Sequence, residues 1–254
     1  MNFISAAQLL RRVGIFGALC SGVIISAQET APVKVQIQID GQESDRSDHG
    51  RLDKPLASNV VVWLSPLDRS SASDANPMPS RKPQLIQRNK TFEPHLLVVR
   101  VGTVVEFPNR DPFFHNVFSL FNGRRFDLGL YEAGSTNFAR FDRIGVSFIF
   151  CNIHPDMSAV VVAVDTPYYG VSDRSGLVII AKVPDGKYQM RVWSEQVLPG
   201  DLKDLTRTIV ISDSARLLPR IRLSKNPNFK SAHKNKYDQD YATPPNNGYS
   251  NPPQ

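Results

Sequence analysis

Cys151-Asn152-Ile153-His154-Pro155-Asp156-Met157 sets a thiol, an imidazole and a thioether at three-residue intervals on one short stretch. Soft sulfur donors beside imidazole suit copper, and two His with one Cys plus a weak axial Met form the ligand set of copper sites that transfer electrons. The stretch holds one His, so a second must arrive from elsewhere. His115, in Pro112-Phe113-Phe114-His115-Asn116-Val117-Phe118, is the candidate, set among aromatic residues just after a strand-like run. The metal ligands are therefore expected to be His115, Cys151, His154 and Met157, with one copper ion as the cofactor.

Outward from this stretch the pattern is β. Val146 to Cys151 leads into it and Ala159 to Val164 leads out, both rich in β-branched and aromatic residues. Val33, Val35, Ile37 and Ile39 alternate with Lys34, Gln36 and Gln38, the period of a strand with one buried face. Further short runs read as strands at Asn59 to Leu64, Leu96 to Val101, Thr103 to Phe107, Leu177 to Ala181, Tyr188 to Trp193, Thr208 to Ile211 and Ile221 to Leu223. No segment sustains a helical period. Many short strands parted by Gly, Pro, Asn and Asp imply an all-β sandwich or barrel.

These residues resemble the cupredoxins, and the Cys-x-x-His-x-x-Met spacing is closest to that of the amicyanin group. Family members carry their first His, followed by Asn, after a Phe-x-Pro, a Gly turn and an Asn. The matching positions read Phe92-Glu93-Pro94, Gly102 and Asn109 ahead of His115-Asn116. One departure is Phe114, where relatives often place Pro directly before the His. The resemblance spans residues 84–167 and implies a Greek-key β-sandwich. It also implies that Cys151, His115 and His154 form a near-trigonal plane with Met157 as a long axial contact. Asn116 corresponds to the family residue that ties the two ligand-bearing loops together. Phe113, Phe114 and Pro155 are expected to form an apolar surface where a redox partner protein docks.

Beyond residue 167, Asp173-Arg174-Ser175-Gly176 and Pro184-Asp185-Gly186 are turn chemistry, because Gly supplies the positive φ that a tight reversal needs. This part, residues 168–224, resembles the carboxypeptidase regulatory-like, or transthyretin-like, β-sandwich modules. Such modules need strands ahead of those turns, which residues 31–66 can supply. The copper domain is accordingly expected to interrupt a second, smaller sandwich. Residues 28–83 provide the N-terminal strands and two polar loops, Gly41 to Lys54 and Asp68 to Arg81. Residues 225–254 are poor in aliphatic side chains and are expected to be disordered.

Residues 1–27 read as a cleaved secretory signal, with Arg11-Arg12 before an apolar run and Ser26-Ala27 at its end. The run is shorter than the roughly 20 residues that span a bilayer, so no membrane span is expected in the mature chain and its location is periplasmic or secreted. Removal of the signal takes Cys20 with it and leaves Cys151 as the sole cysteine. A lone thiol in an oxidising compartment calls for burial or a ligand role. The mature chain carries 28 basic against 24 acidic residues, which lowers the formal charge from +6 to +4. With no dense basic tract, nucleic-acid binding is not expected.

The chemistry favours an electron carrier over an enzyme. Copper delivery, storage or sensing would use the same ligands, and a structural or surface-binding β protein is the third reading. No Gly-x-Ser-x-Gly elbow, His-Glu-x-x-His helix or phosphate loop is present. His95 stands alone at a strand edge and is not assigned to the site.

Overall fold

The computed structural model describes residues 31–40, 57–68, 81–120, 123–227, 234–237 and 239. The signal-like segment, Cys20 and most of both polar loops lie outside the described residues. Sixteen strands and one short helix make up the described chain, and they build two β-sandwiches that share a third apolar layer.

The first sandwich joins the two ends of the described chain. Strand β1 (Val33–Asp40) pairs antiparallel with β13 (Leu177–Ile180) and parallel with β16 (Ile221–Ser224). Facing it is a sheet of β12 (Tyr169–Val171), β2 (Val61–Pro66), β14 (Gly186–Trp193) and β15 (Arg207–Ile211), in that order. The strand at Val33 makes no pairing within residues 84–167, so the chain leaves this sandwich after β2 and returns to it at β12. Gly176 shows why the turn residues matter: its φ is +80°, and a Cβ there would stand 2.4 Å from the Ile37 carbonyl oxygen.

The second sandwich carries the Cys151 loop. One sheet runs β5 (Leu96–Arg100), β11 (Ser158–Val164), β10 (Gly145–Phe150), β7 (His115–Ser119), β8 (Phe126–Tyr131). Over it lie the pairs β3 (Ile86–Arg88) with β4 (Thr91–Glu93), and β6 (Thr103–Pro108) with β9 (Thr136–Phe141). Phe92, Phe107, Phe141, Ile149 and Val161 fill the space between the layers.

Two strands have apolar runs rather than alternation, and the packing explains both. In β11, Ala159, Val161 and Ala163 face the core of the second sandwich, while Val160, Val162 and Val164 face away from it. In β2, Val62 and Leu64 face the first core, while Val61 and Trp63 face away. The outward side chains of β2 and β11 meet in one buried cluster, so each strand is covered on both faces. Burying one such Val contributes about 1.5–3 kcal/mol, and this layer fixes the two sandwiches to each other.

The sequence reading omits a helix at Pro199–Asp204, a single turn with Pro in its first positions and only Leu202 buried. Six residues are too few for a helical period to register. It also omits β8 and β9, whose Asp, Gly, Asn and Arg residues dilute the strand signal. Within the tail expected to be disordered, residues 234–237 and 239 are described, and they contact the second sandwich.

Candidate metal centre

His115 opens β7 and Cys151 follows directly on β10; these two strands are neighbours paired through Phe118 and Phe150. Strand adjacency brings together residues 36 positions apart. The loop from Cys151 closes on itself, with Met157 N–H donating to the His154 carbonyl at 3.1 Å and Cys151 N–H donating to the Met157 carbonyl at 3.1 Å. That closure returns His154 over Cys151 before β11 begins.

The sulfur of Cys151 lies 3.6 Å from His115 Nδ1 and 3.5 Å from His154 Nδ1. All three donor atoms fall within 4.8 Å of one another. Around a first-row metal ion, bonds of about 2.3 Å to sulfur and about 2.0 Å to nitrogen, at angles between tetrahedral and trigonal, hold the two atoms about 3.5–3.8 Å apart. The donor set therefore fits a metal ion. Met157 is fully buried in the same apolar cluster as Cys151.

The surroundings fix which atoms face inward. The Nε2–H of His115 donates to Asp111 Oδ2 at 2.7 Å, which leaves Nδ1 as the lone-pair nitrogen turned towards the sulfur. Asp111 is only 4% exposed and also accepts the main-chain N–H groups of Asn89 and Lys90, at 2.6 and 2.9 Å. Burial alone would raise its carboxyl, but the donors Lys90, His115 and Asn89 outweigh burial and hold it below the ordinary value. Asn109 braces this loop in turn: its Oδ1 accepts from Asp111 N–H at 3.0 Å and its Nδ2 donates to the Phe113 carbonyl at 2.8 Å.

Burial pushes the Cys151 thiol up, against N–H donors from Ile153, Asn116 and His154 that favour the thiolate. The group is thus protonated without a cation and preset with hydrogen bonds for the thiolate that a cation would stabilise. His154 is held below its ordinary value by burial first, then by the charges of His115 and Lys90. A neutral imidazole is the form that can bind a metal.

The structure places the expected residues as follows. His115, Cys151 and His154 converge, and Met157 closes their loop. Asn116 reaches both sides: its main-chain N–H donates to the Cys151 sulfur, and its side chain bonds Asp127 Oδ1 on β8 at 2.8 Å. The pairing of β7 with β8 shifts register between Asn116 and Phe118. Phe113 and Phe114 are 36% and 52% exposed, and with Ile153 at 45% and Pro155 they surround the half-buried His154 ring with apolar surface. Phe113 packs against both imidazoles, at 5.3 Å from His115 and 5.8 Å from His154. His95 stays apart, bonded to the Ser158 carbonyl and to Glu195. Asp111 is missing from the sequence reading, because nothing in its spacing marks a carboxylate four residues before a His as that His's partner.

No family model and no curated protein matches this chain. Many solved structures are similar to part of it. A purple cupredoxin from Nitrosopumilus maritimus is 26% identical over 32% of this chain and 99% of its own, with a TM-score of 0.30. A Cu-containing nitrite reductase from Thermus scotoductus SA-01 is 23% identical over 37% of this chain, TM-score 0.32, and this chain spans only 24% of its length. A mutant amicyanin in the oxidized state is 19% identical over 41% of this chain and 98% of its own, TM-score 0.31.

Proposed function

We propose that this chain is an exported type 1 copper protein that carries single electrons between redox partners. The observation that carries the reading is Cys151 Sγ set 3.5 and 3.6 Å from two imidazole Nδ1 atoms, in a pocket already furnished with N–H donors to the sulfur. His115, Cys151 and His154 would hold the ion, with the buried Met157 as the weak fourth ligand. When bound, copper supplies a one-electron couple between Cu(I) and Cu(II).

The protein's part is to keep the donors in place. Asp111 holds the His115 ring, the closed loop holds His154, and β10 with its neighbours β7 and β11 holds Cys151. Donors set in advance by a β framework move little between oxidation states, which favours rapid exchange of an electron. The apolar rim of Phe113, Phe114, Ile153 and Pro155 offers a partner protein a contact surface at the edge of His154. Lys90, whose Nζ lies 5.7 Å from the Phe113 ring centroid, adds positive charge that suits an acidic partner. The sandwich built from residues 31–66 and 168–224, similar in its turns to carboxypeptidase regulatory-like modules, serves as a rigid support. Residues 1–27 direct export.

The test is to add Cu(II) to residues 28–254 and record visible and electron-paramagnetic-resonance spectra beside a Cys151→Ala variant. An intense thiolate-to-copper band, lost in the variant, with reversible reduction is expected. A colourless complex, or a variant spectrum matching the parent's, overturns the proposal.

A further inference from the structure

We propose that Lys236, in the C-terminal segment, is a positioning residue of this centre, closing a hydrogen-bonded link between the segment that carries His115 and the segment that carries Cys151. The proposal rests on the copper reading above and concerns how that site is held. Lys236 makes two separate contacts. Its main-chain N–H donates to Asn152 Oδ1 at 2.9 Å, and its Nζ donates to Asp127 Oδ2 at 2.9 Å. Asn152 is the residue directly after Cys151.

The other oxygen of Asp127 accepts from Asn116 Nδ2 at 2.8 Å and from Gly129 N–H at 2.9 Å. Asn116 follows His115 and gives its main-chain N–H to the Cys151 sulfur. The links therefore form a ring: sulfur of Cys151, Asn116, Asp127, Lys236, Asn152 and back to Cys151. A side chain on Asn116 alone does not span the two ligand segments here; the tail completes the connection.

A lone surface ion pair is worth little, and this contact differs in three respects. One residue is anchored through both main chain and side chain, so the main-chain bond holds its Cα within reach of Asp127. The segment is folded for it: Asn235 Oδ1 accepts the N–H groups of Tyr237 and Gln239, at 2.9 and 3.0 Å. Asp127 accepts two bonds on Oδ1 and the Lys236 bond on Oδ2, and removal of Lys236 takes away the cation paired with its negative charge. The bond to Asp127, ahead of the small opposing effect of burial, raises the Lys236 ammonium above its ordinary value and keeps it charged.

The experiment compares residues 28–254 with the full-length Lys236→Met and Lys236→Arg variants. In the metal-free proteins, heteronuclear NMR reads the side-chain amides of Asn116 and Asn152. In the copper-loaded proteins, the rate of copper release to a chelator and the reduction potential are measured. Lys236→Met keeps the main-chain bond to Asn152 and removes only the bond to Asp127; it is expected to shift the Asn116 amide, to release copper about tenfold faster, in line with changes to groups that orient metal ligands, and to lower the potential, since an uncompensated carboxylate favours the more positive ion. Lys236→Arg is expected to restore release and potential. A superimposable Asn116 amide signal in Lys236→Met overturns the link, and a shifted Asn116 amide with unchanged release and potential overturns the positioning role. If the parent takes up no copper, the copper reading fails, while the metal-free amides still decide whether the link exists.

Discussion

Replacing Asp111 by Asn tests whether the buried carboxylate organises the metal centre. Asp111 Oδ1 accepts one N–H, from Asn89, and Oδ2 accepts two, from Lys90 and His115. An amide can keep only one oxygen. The less costly orientation puts its NH2 at the Oδ1 position, losing Asn89 and keeping Lys90 and His115 on a neutral acceptor. Asn89 and Lys90 both hold left-handed backbone, with φ of 54° and 57°, so the lost bond also loosens a turn that is costly for Lys. One charge-assisted bond removed and two weakened to neutral strength predict a loss of about 2–4 kcal/mol in the metal-free protein. Copper affinity is expected to fall about tenfold, because the His115 ring is held less firmly.

Urea denaturation of the reduced, metal-free protein gives the first number and chelator competition the second. The carboxyl is held below its ordinary value of 3.8, so its stabilisation is fully present above that pH and is lost as pH falls through the lowered value. The Asn variant should lack this acid-side slope. A variant that loses stability but binds copper as the parent does would show that Asp111 serves only the turn at Asn89 and Lys90, and the argument for its role at the metal would fail.

Met157→Ala should cost roughly 2–5 kcal/mol in urea melts, since the side chain is fully buried in the core cluster. Met157→Leu keeps the volume and should cost less than about 1.5 kcal/mol, yet alter the reduction potential; an unchanged potential would remove the thioether from the ligand set. His154 is held below its ordinary value of 6.5, so its nitrogen stays free of protons below that pH. Because copper uptake displaces the Cys151 proton, chelator titrations should show affinity falling about tenfold per pH unit through 6.5 from the thiol alone, and steepening only at lower pH, when protons also compete for the ring; a steepening already above 6.5 would contradict the burial argument.

Much of the candidate site was legible because its donor residues are local in sequence. Cys151, His154 and Met157 lie within seven residues, and chemistry at fixed spacing needs no knowledge of the fold. Alternation at Val33 to Ile39 likewise gave a half-buried strand directly. Val61 to Leu64 and Val160 to Val164 read as strands too, but their continuous apolar runs do not say which face meets which core. Only the meeting of the two strands in a common cluster explains why every position is apolar.

The sequence by itself determined that the chain is β-rich and that one loop carries a copper-type donor set, with His115 as the candidate for the second imidazole. Tertiary structure alone decided that β1 pairs with β13 and β16, that Asp111 sets the His115 tautomer and that Lys236 returns to Asn152 and Asp127. The reason is physical. Strand period and ligand spacing are properties of neighbouring residues, whereas a hydrogen bond between residues 84 positions apart exists only once ladder register, bulges and the packing of two sheets have set where each side chain ends.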